Sequence, residues 1–335
     1  MANDVRVKID LAKPAGKLGF GVPLILEENA SKAVAYTEVT GVAGVVAAGY
    51  TTTSDVYKVA QLIFEQKNAP KKIAVYTTTE TATAALADSQ LVNKEWRQLI
   101  VVNGGDTATG VQDIMAAVEA LEGKLYFAGL ELDDESDIAV DGITHTVLFY
   151  CNATDAAPFP VAALVGETAG REAGSFTYKN LILAGIEAQE LTDAQVDAIH
   201  AKGGITFVTK AGDNVTSEGK VAGGEYIDIV DSEDYIVQQL AYKTQKALNS
   251  AAKIPYDNNG IALLESVAVD VLQTAYNNGM IAVDEEGNAQ YSVSYALRED
   301  TTEENRAARV YLGGTFSFAL AGAIHEVEIT GTITV

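Results

Sequence analysis

Apolar and polar residues alternate with period two at both ends of the chain and give way to helical spacing between them. Residues 3–11 set Val5, Val7 and Ile9 on one side of an extended segment, before a break at Lys13-Pro14-Ala15-Gly16. The closing stretch 323–335 sets Val327, Ile329, Ile333 and Val335 against Glu326, Glu328, Thr330, Thr332 and Thr334 up to the last residue. Strands of this kind need a sheet edge. It lies either in their own domain or in a neighbouring copy reached by β-augmentation, and the pattern leaves both open.

Between the ends, short strands at Val22–Leu26 and, more weakly, Tyr36–Val39 lead into alternating helix and strand. A helix from Asp55 to about Gln66 sets Val56, Val59, Ala60, Ile63 and Phe64 on one face behind an N-cap at Ser54. Strands follow at Lys72–Tyr76, Gln98–Val102, Lys124–Ala128 and Thr144–Tyr150, with helices near Ala82–Ala87 and from about Thr109 to Leu121. Continuous apolar strands separated by helices predict a partly parallel sheet covered on both faces, so the fold class is α/β.

After Pro158 and Pro160 a small-residue helix is expected over Val161–Thr168, then a helix over Thr192–His200 whose Thr192 and Gln195 have capping-box spacing. A strand at Ile205–Thr209 and a hairpin through Gly212–Gly224 lead to an expected strand at Tyr226–Val230. A long helix then starts behind Ser232 as N-cap, with Ile236, Val237, Leu240, Ala241, Ala247, Leu248 and Ala251 as an apolar stripe. Gln239, Lys243, Lys246 and Ser250 lie opposite, and Lys253 just beyond. Past Pro255, a helix from Gly260 to Asn278 is apolar almost all round, which predicts burial. The rest reads as strand at Gln290–Leu297 and Val310–Phe318, around a helical turn at Thr301–Ala308. The expected divisions are an N-terminal arm over 1–20, an α/β domain over 21–157, a second α/β domain over 158–320 and a C-terminal strand arm over 321–335.

Composition narrows the function. With 335 residues and 48% hydrophobic content the chain can bury two cores. A formal net charge of −23 argues against nucleic acid and anionic membrane as partners. No stretch approaches the roughly 20 apolar residues of a membrane span, and the N-terminus lacks a signal-peptide core. The single cysteine, Cys151, reads as a buried strand residue and precludes an internal disulfide or a cysteine zinc site.

Candidate chemistry is sparse. Gly41-Val42-Ala43-Gly44 lacks the spacing of a dinucleotide fingerprint, and Asn103-Gly104-Gly105-Asp106 stands where an α/β fold can place a ligand but reads first as a tight turn. His145, His200 and His325 are isolated. Asp228, Asp231, Glu233 and Asp234 are dense enough for a cation site, yet acids at a helix start need no metal. No catalytic residue, metal site or cofactor is therefore expected. Lys243, Lys246 and Lys253 read equally as a solvated helix face and as a docking stripe for an acidic partner.

An ordered series of blocks resembles the contractile tail sheath proteins of bacteriophages and related injection particles. They are Ala173-Gly174-Ser175-Phe176-Thr177-Tyr178-Lys179-Asn180-Leu181, Lys202-Gly203-Gly204-Ile205-Thr206-Phe207 and the stretch from Ser217 to Asp228, followed by Asp234-Tyr235, Lys253-Ile254-Pro255-Tyr256-Asp257, Gly260-Ile261 and Gly322-Ala323-Ile324-His325. The resemblance covers about residues 160–335; Asn305 stands where that family has an acid before the arginine, here Arg306. It implies a structural, non-enzymatic subunit forming a helical homo-oligomer around an inner tail tube protein, with baseplate and tail terminator proteins as further partners. It also implies a virion or phage-tail-like particle assembled in the host bacterial cytoplasm. Arms at both chain ends would hand strands to neighbours so that a four-stranded sheet is shared, here through Val5, Val7, Ile9, Ile324, Val327, Ile329 and Ile333. Eleven extended residues reach roughly 35–40 Å, enough to cross to another subunit. The lysine face at Lys243, Lys246 and Lys253 would touch the inner tube. The alternatives are another self-assembling particle protein, of a surface layer or capsid, and a soluble α/β enzyme with a site near Asn103–Asp106.

Overall fold

A computed structural model describes residues 20–104, 108–133, 138–154 and 157–325. Its centre is an eight-stranded mixed sheet of β1 (Leu24–Glu28), β2 (Val34–Val39), β3 (Ile73–Thr78), β4 (Gln98–Val102), β5 (Leu125–Leu130), β6 (Thr146–Tyr150), β7 (Gly204–Lys210) and β8 (Asp213–Thr216), in the order β2-β3-β1-β4-β5-β6-β7-β8. Neighbours from β3 through β7 are parallel, and β2 and β8 pair antiparallel at the two edges.

Two-sided burial explains the continuous apolar runs. On one face Ile25, Val75, Ile100, Phe127, Phe149 and Phe207 pack beneath α1 (Val42–Ala47), α2 (Asp55–Phe64) and α6 (Val161–Ala169). The intervening Leu26, Ala74, Leu99, Tyr126 and Leu148 face α3 (Ala82–Ala87), α4 (Ser89–Val92), α5 (Ala108–Glu119) and α7 (Asp193–Ala201). Two of the three expected N-caps are formed. Ser54 Oγ accepts from Tyr57 N–H, and Thr192 and Gln195 close a full capping box. The small residues of α6 let it lie directly on α2: a Cβ at Gly166 would sit 2.6 Å from the Ile63 carbonyl oxygen.

The sheet runs through the division expected between residues 157 and 158, since β6 pairs with β7 beyond it. A separate apolar cluster begins instead with α8 (Ile227–Ser250), which packs against α9 (Asn258–Asn277) and a two-stranded antiparallel sheet of β9 (Tyr291–Tyr295) and β10 (Gly314–Phe318), with α10 (Glu303–Ala308) between those strands in sequence. Helix α8 joins the two parts. Ile227 and Val230 belong to the sheet's core, Ile236 and Leu240 to the second cluster.

Three sequence expectations are corrected here. Tyr226–Val230 is not a strand: Tyr226 is the N-cap of α8 and the next four residues form its first turn. Ser232 is therefore no cap but a buried residue inside the helix, its hydroxyl donating to the Asp228 carbonyl at 2.6 Å. Helix α9 is not buried all round, because Leu263 and Val269 are exposed. The expected arm residues Val5, Val7, Ile9, Val327, Ile329 and Ile333 lie outside the described residues, as does Asp106; of the arm set only Ile324 is described, and it is 85% exposed.

Candidate functional site

Charge is concentrated where α8 meets the sheet. Arg97, immediately before β4, is 3% exposed and turns its guanidinium onto the first turns of α8. Its Nε and Nη2 donate to Asp231 Oδ1, the former at 3.1 Å; its Nη1 donates to Asp234 Oδ2 at 2.7 Å and to the Gly123 carbonyl at 3.0 Å. Tyr178 Oη donates to the other Asp231 oxygen at 2.7 Å. His145 extends the network, with Nε2 3.3 Å from Asp234 Oδ2 and Nδ1 3.6 Å from Glu119 Oε2.

The network fixes protonation states. Burial alone would raise the Asp234 pKa, but the Arg97 charge and His145 overcome it and hold the carboxyl below its usual range. Burial likewise works against charged His145, and the hydrogen bond and charge of Asp234 reverse the effect, so its pKa is raised. Lys124 has no carboxylate to offset its burial. Desolvation and then the nearby Arg97 charge bring it down to about 7, while its Nζ donates to the Trp96 carbonyl and stands 4.2 Å from the Trp96 ring centre.

Two of the four acids weighed as a cation site serve another purpose. Asp231 and Asp234 neutralise Arg97, and no metal-holding group of three ligand residues occurs among the described residues. Arg97 was invisible in sequence because its partners lie more than a hundred residues away. The available signal was the i, i+3 spacing of Asp228, Asp231 and Asp234, which aligns once the helix starts at Ile227.

Both ends of the described chain lie near the start of α8, Phe20 against Tyr235 and His325 against the N-cap Tyr226. Phe20 lies beneath the Arg97 guanidinium, 4.5 Å from its ring centre, and meets Tyr235 edge-on at 5.4 Å. At the other end His325 Nδ1 is 3.3 Å from Glu218 Oε1 and Nε2 is 2.9 Å from Thr177 Oγ1. The ring packs edge-on against Tyr226 at 4.6 Å. An ionised carboxylate only accepts, so Nδ1 carries the proton and Nε2 accepts from the threonine hydroxyl when the ring is neutral. Glu218 also takes the Lys179 ammonium at 3.3 Å, and its carboxyl is held below the usual range: the backbone N–H of Gly219 and then Lys179 outweigh burial.

The far half of α8 differs in character. From Tyr235 to Tyr256 the chain has Lys243, Lys246 and Lys253 and no carboxylate. Lys243 pairs at the surface with Asp270 of α9, 2.7 Å away, while Lys246 and Lys253 are exposed, as are Tyr242 and Leu248. The three lysines therefore do not form one free face.

The β9–β10 sheet is two-faced. Tyr291, Val293, Tyr295, Phe316 and Phe318 pack toward α9, whereas Ser292, Ser294, Thr315 and Ser317 make the outer side, with Ser292 and Ser317 hydrogen-bonded at 2.8 Å. Each strand has one paired edge within the sheet, and a two-stranded ribbon of this size gains from further strands.

At the carboxyl ends of β1 and β4, where an α/β sheet can take a ligand, the chain supplies its own groups. Glu28 Oε1 accepts from Ala82 N–H at the start of α3, occupying the position an anion would take, and buried Glu27 accepts from Thr77 at 2.8 Å. Asn103 turns the chain with φ of 57° and reaches Glu27 at 3.5 Å. His200 bonds Ser217 at 2.9 Å, and burial, then Glu131, pushes the Cys151 thiol up to about 12. A cavity of about 220 Å³ lined by Asn152, Thr154, Pro160 and Glu187 is smaller than the roughly 300–1,000 Å³ of a typical ligand pocket.

Comparison with known proteins agrees with this geometry. Residues 227–333 match the family model described as E217 tail sheath protein gp31-like, C-terminal domain. No curated protein matches the sequence. Among solved structures, the helical sheath of the anti-feeding prophage in its contracted state is similar at 14% identity and a TM-score of 0.71, covering 98% of this chain and 97% of that one. A chain of the anti-feeding prophage baseplate is similar at 15% identity and 0.69, covering 100% and 99%. The sheath tail protein Lin1278 from Listeria innocua is similar at 11% identity and 0.58, covering 84% and 89%. The chain therefore has the contractile-sheath fold, its C-terminal third matching the domain of the E217 gp31-like tail sheath proteins.

Proposed function

We propose that this chain is the repeating subunit of a contractile tail sheath, which polymerises helically around an inner tube and shortens to drive that tube through a target envelope. The observation that carries the reading is the end-to-end match to a contracted sheath subunit, covering nearly all of both chains. The particle is a phage tail or a phage-tail-like device assembled in the host bacterial cytoplasm, and baseplate and terminator proteins close its ends. The role is structural rather than catalytic. Contraction draws on the difference in buried area and charge pairing between two packings of the same subunits.

Assembly proceeds by strand donation. The β9–β10 ribbon offers two edges, and the terminal segments have the matching two-sided pattern: Val327, Ile329 and Ile333 would extend the apolar side and the intervening threonines the Ser/Thr side. Val5, Val7 and Ile9 give the other arm its apolar side. Residues 1–19 carry Arg6, Lys8, Lys13 and Lys17 against Asp4 and Asp10, a basic excess suited to a neighbour whose whole chain carries −23. Ile324 is the large apolar residue of the C-terminal arm that stands 85% exposed among the described residues. Inner-tube contact falls to the far half of α8 and the residues just after it, through Lys246 and Lys253, with Lys243 shared with Asp270.

Removal of residues 326–335 tests the reading. The shortened chain is expected to keep the circular dichroism and monomer mass of the folded subunit and to form no tubes by negative-stain microscopy. Normal tubes from the shortened chain would overturn strand donation.

A further inference from the structure

Phe20 and His325, the two ends of the described chain, stand on one continuous set of contacts. Phe20 is held by Arg97, Arg97 by Asp231, and Asp231 by Tyr178 Oη. The next residue back along the chain, Thr177, holds His325. Tyr178 is closed in on its other sides as well. Its carbonyl accepts from Thr216 Oγ1 at 2.6 Å, and Gly219 lies so close that a Cβ there would be 2.8 Å from Lys179 N. The neighbouring Glu218 is the second partner of His325, and the Gly219 carbonyl accepts from Ile227 N–H, the first residue of α8. No step relies on an exposed side chain, apart from half-buried Phe20, Thr177 and His325 at the two ends.

We infer that this joint couples the roots of the N- and C-terminal arms within a subunit, with Arg97, Asp231 and Tyr178 as the positioning residues that transmit the displacement of one root to the other. Two independent tethers would leave each arm free to change direction alone. A shared buried joint makes the arms move as a pair, because a guanidinium bound by two carboxylates and the Gly123 carbonyl, with one of those carboxylates held in turn by the Tyr178 hydroxyl, has no neighbouring low-energy arrangement to slide into. The inference concerns the subunit by itself and goes beyond strand donation, so it can fail while the sheath reading stands.

The test is hydrogen exchange on the free, full-length subunit. Two amides report the roots: Arg97 N–H, bonded to the Val22 carbonyl at 3.1 Å beside Phe20, and Ala321 N–H, bonded to the Met280 carbonyl at 2.9 Å before His325. Coupling is reciprocal, so Phe20→Ala should speed exchange at Ala321, and His325→Ala at Arg97, by a common factor of about two- to thirtyfold. Tyr178→Phe, which removes a single hydroxyl, should reduce both cross effects, the contacts through Tyr226, Asp234 and Tyr235 remaining; unchanged cross effects would remove Tyr178 from the joint. The amide of Val75 in the sheet serves as control and should not change. Should Phe20→Ala fail to fold, Phe20→Leu keeps apolar bulk without the ring beneath the guanidinium. Acceleration confined to the substituted root, or equal acceleration at Val75, overturns the inference.

Discussion

Replacing Asp231 with alanine takes from Arg97 one of its two carboxylates and from Tyr178 its acceptor. Breaking a buried pair by removing one partner costs about 3–5 kcal/mol, because the remaining charge keeps its desolvation penalty without its compensation. Asp234, 2.7 Å from Nη1, still holds the guanidinium, which places the ionic part at the low end, about 3 kcal/mol. The orphaned tyrosine hydroxyl adds about 1 kcal/mol. The sum is a large share of the roughly 5–15 kcal/mol that holds a domain folded. Asp231→Asn keeps an acceptor and loses only the charge, so it should cost distinctly less than alanine. The assay is urea unfolding followed through the fluorescence of Trp96, the single tryptophan, which is fully buried next to Arg97. A shift in midpoint at constant slope gives the free energy. Half-molar salt should leave the difference largely intact, as buried pairs are weakly screened. A loss below about 1 kcal/mol for the alanine variant, the range of a surface ion pair, would refute the reasoning.

Further outcomes follow from other parts of the structure. Gly166→Ala drives a methyl to 2.6 Å from the Ile63 carbonyl oxygen and should cost about 1–3 kcal/mol in the same unfolding assay by forcing α6 off α2. Lys246→Glu with Lys253→Glu should change stability by less than about 0.5 kcal/mol yet weaken co-sedimentation with the inner tube, whereas equal co-sedimentation would move the tube contact elsewhere on the subunit. Because the His145 pKa is raised above its usual 6.5, its share of stability is complete below that value and is lost as pH rises through the folded-state pKa. Thermal melts stepped upward from pH 6 should therefore fall more steeply for the native chain than for His145→Asn, and parallel profiles would contradict the assigned sign.

The sheet was legible because its strands are short continuous apolar runs buried on two faces while α2 sets its apolar residues on one; α6, buried along its whole length, was set apart by its small residues after Pro158 and Pro160. Ser54, Thr192 and Gln195 announced their helix starts through local chemistry that does not depend on the rest of the fold. The errors arose where a distant partner decides the structure. The alternation Tyr226-Ile227-Asp228-Ile229-Val230 predicts a strand and places the helix start at Ser232, whereas Arg97, the distant counterion of Asp231 and Asp234, stands just before β4 against a helix that begins at Ile227. Helix α9 was read as buried because a sequence records apolar residues but not whether the surface that covers them belongs to the same chain. Leu263 and Val269 are exposed in the single subunit, as a face reserved for another copy would be under the proposed assembly. Of the two arm roots, His325 stands in a block that carries the resemblance, whereas Phe20 stands in none and is held by Arg97 and Tyr235, both far off in sequence.

The most direct test of the account is a cryo-electron microscopy reconstruction of the assembled polymer, resolved well enough to trace β9 and β10. The account predicts that both edges of the ribbon are filled by terminal strands of other copies, with Val327, Ile329 and Ile333 on its apolar side. A polymer in which those edges stay bare, or in which the terminal strands pair within their own subunit, would contradict it.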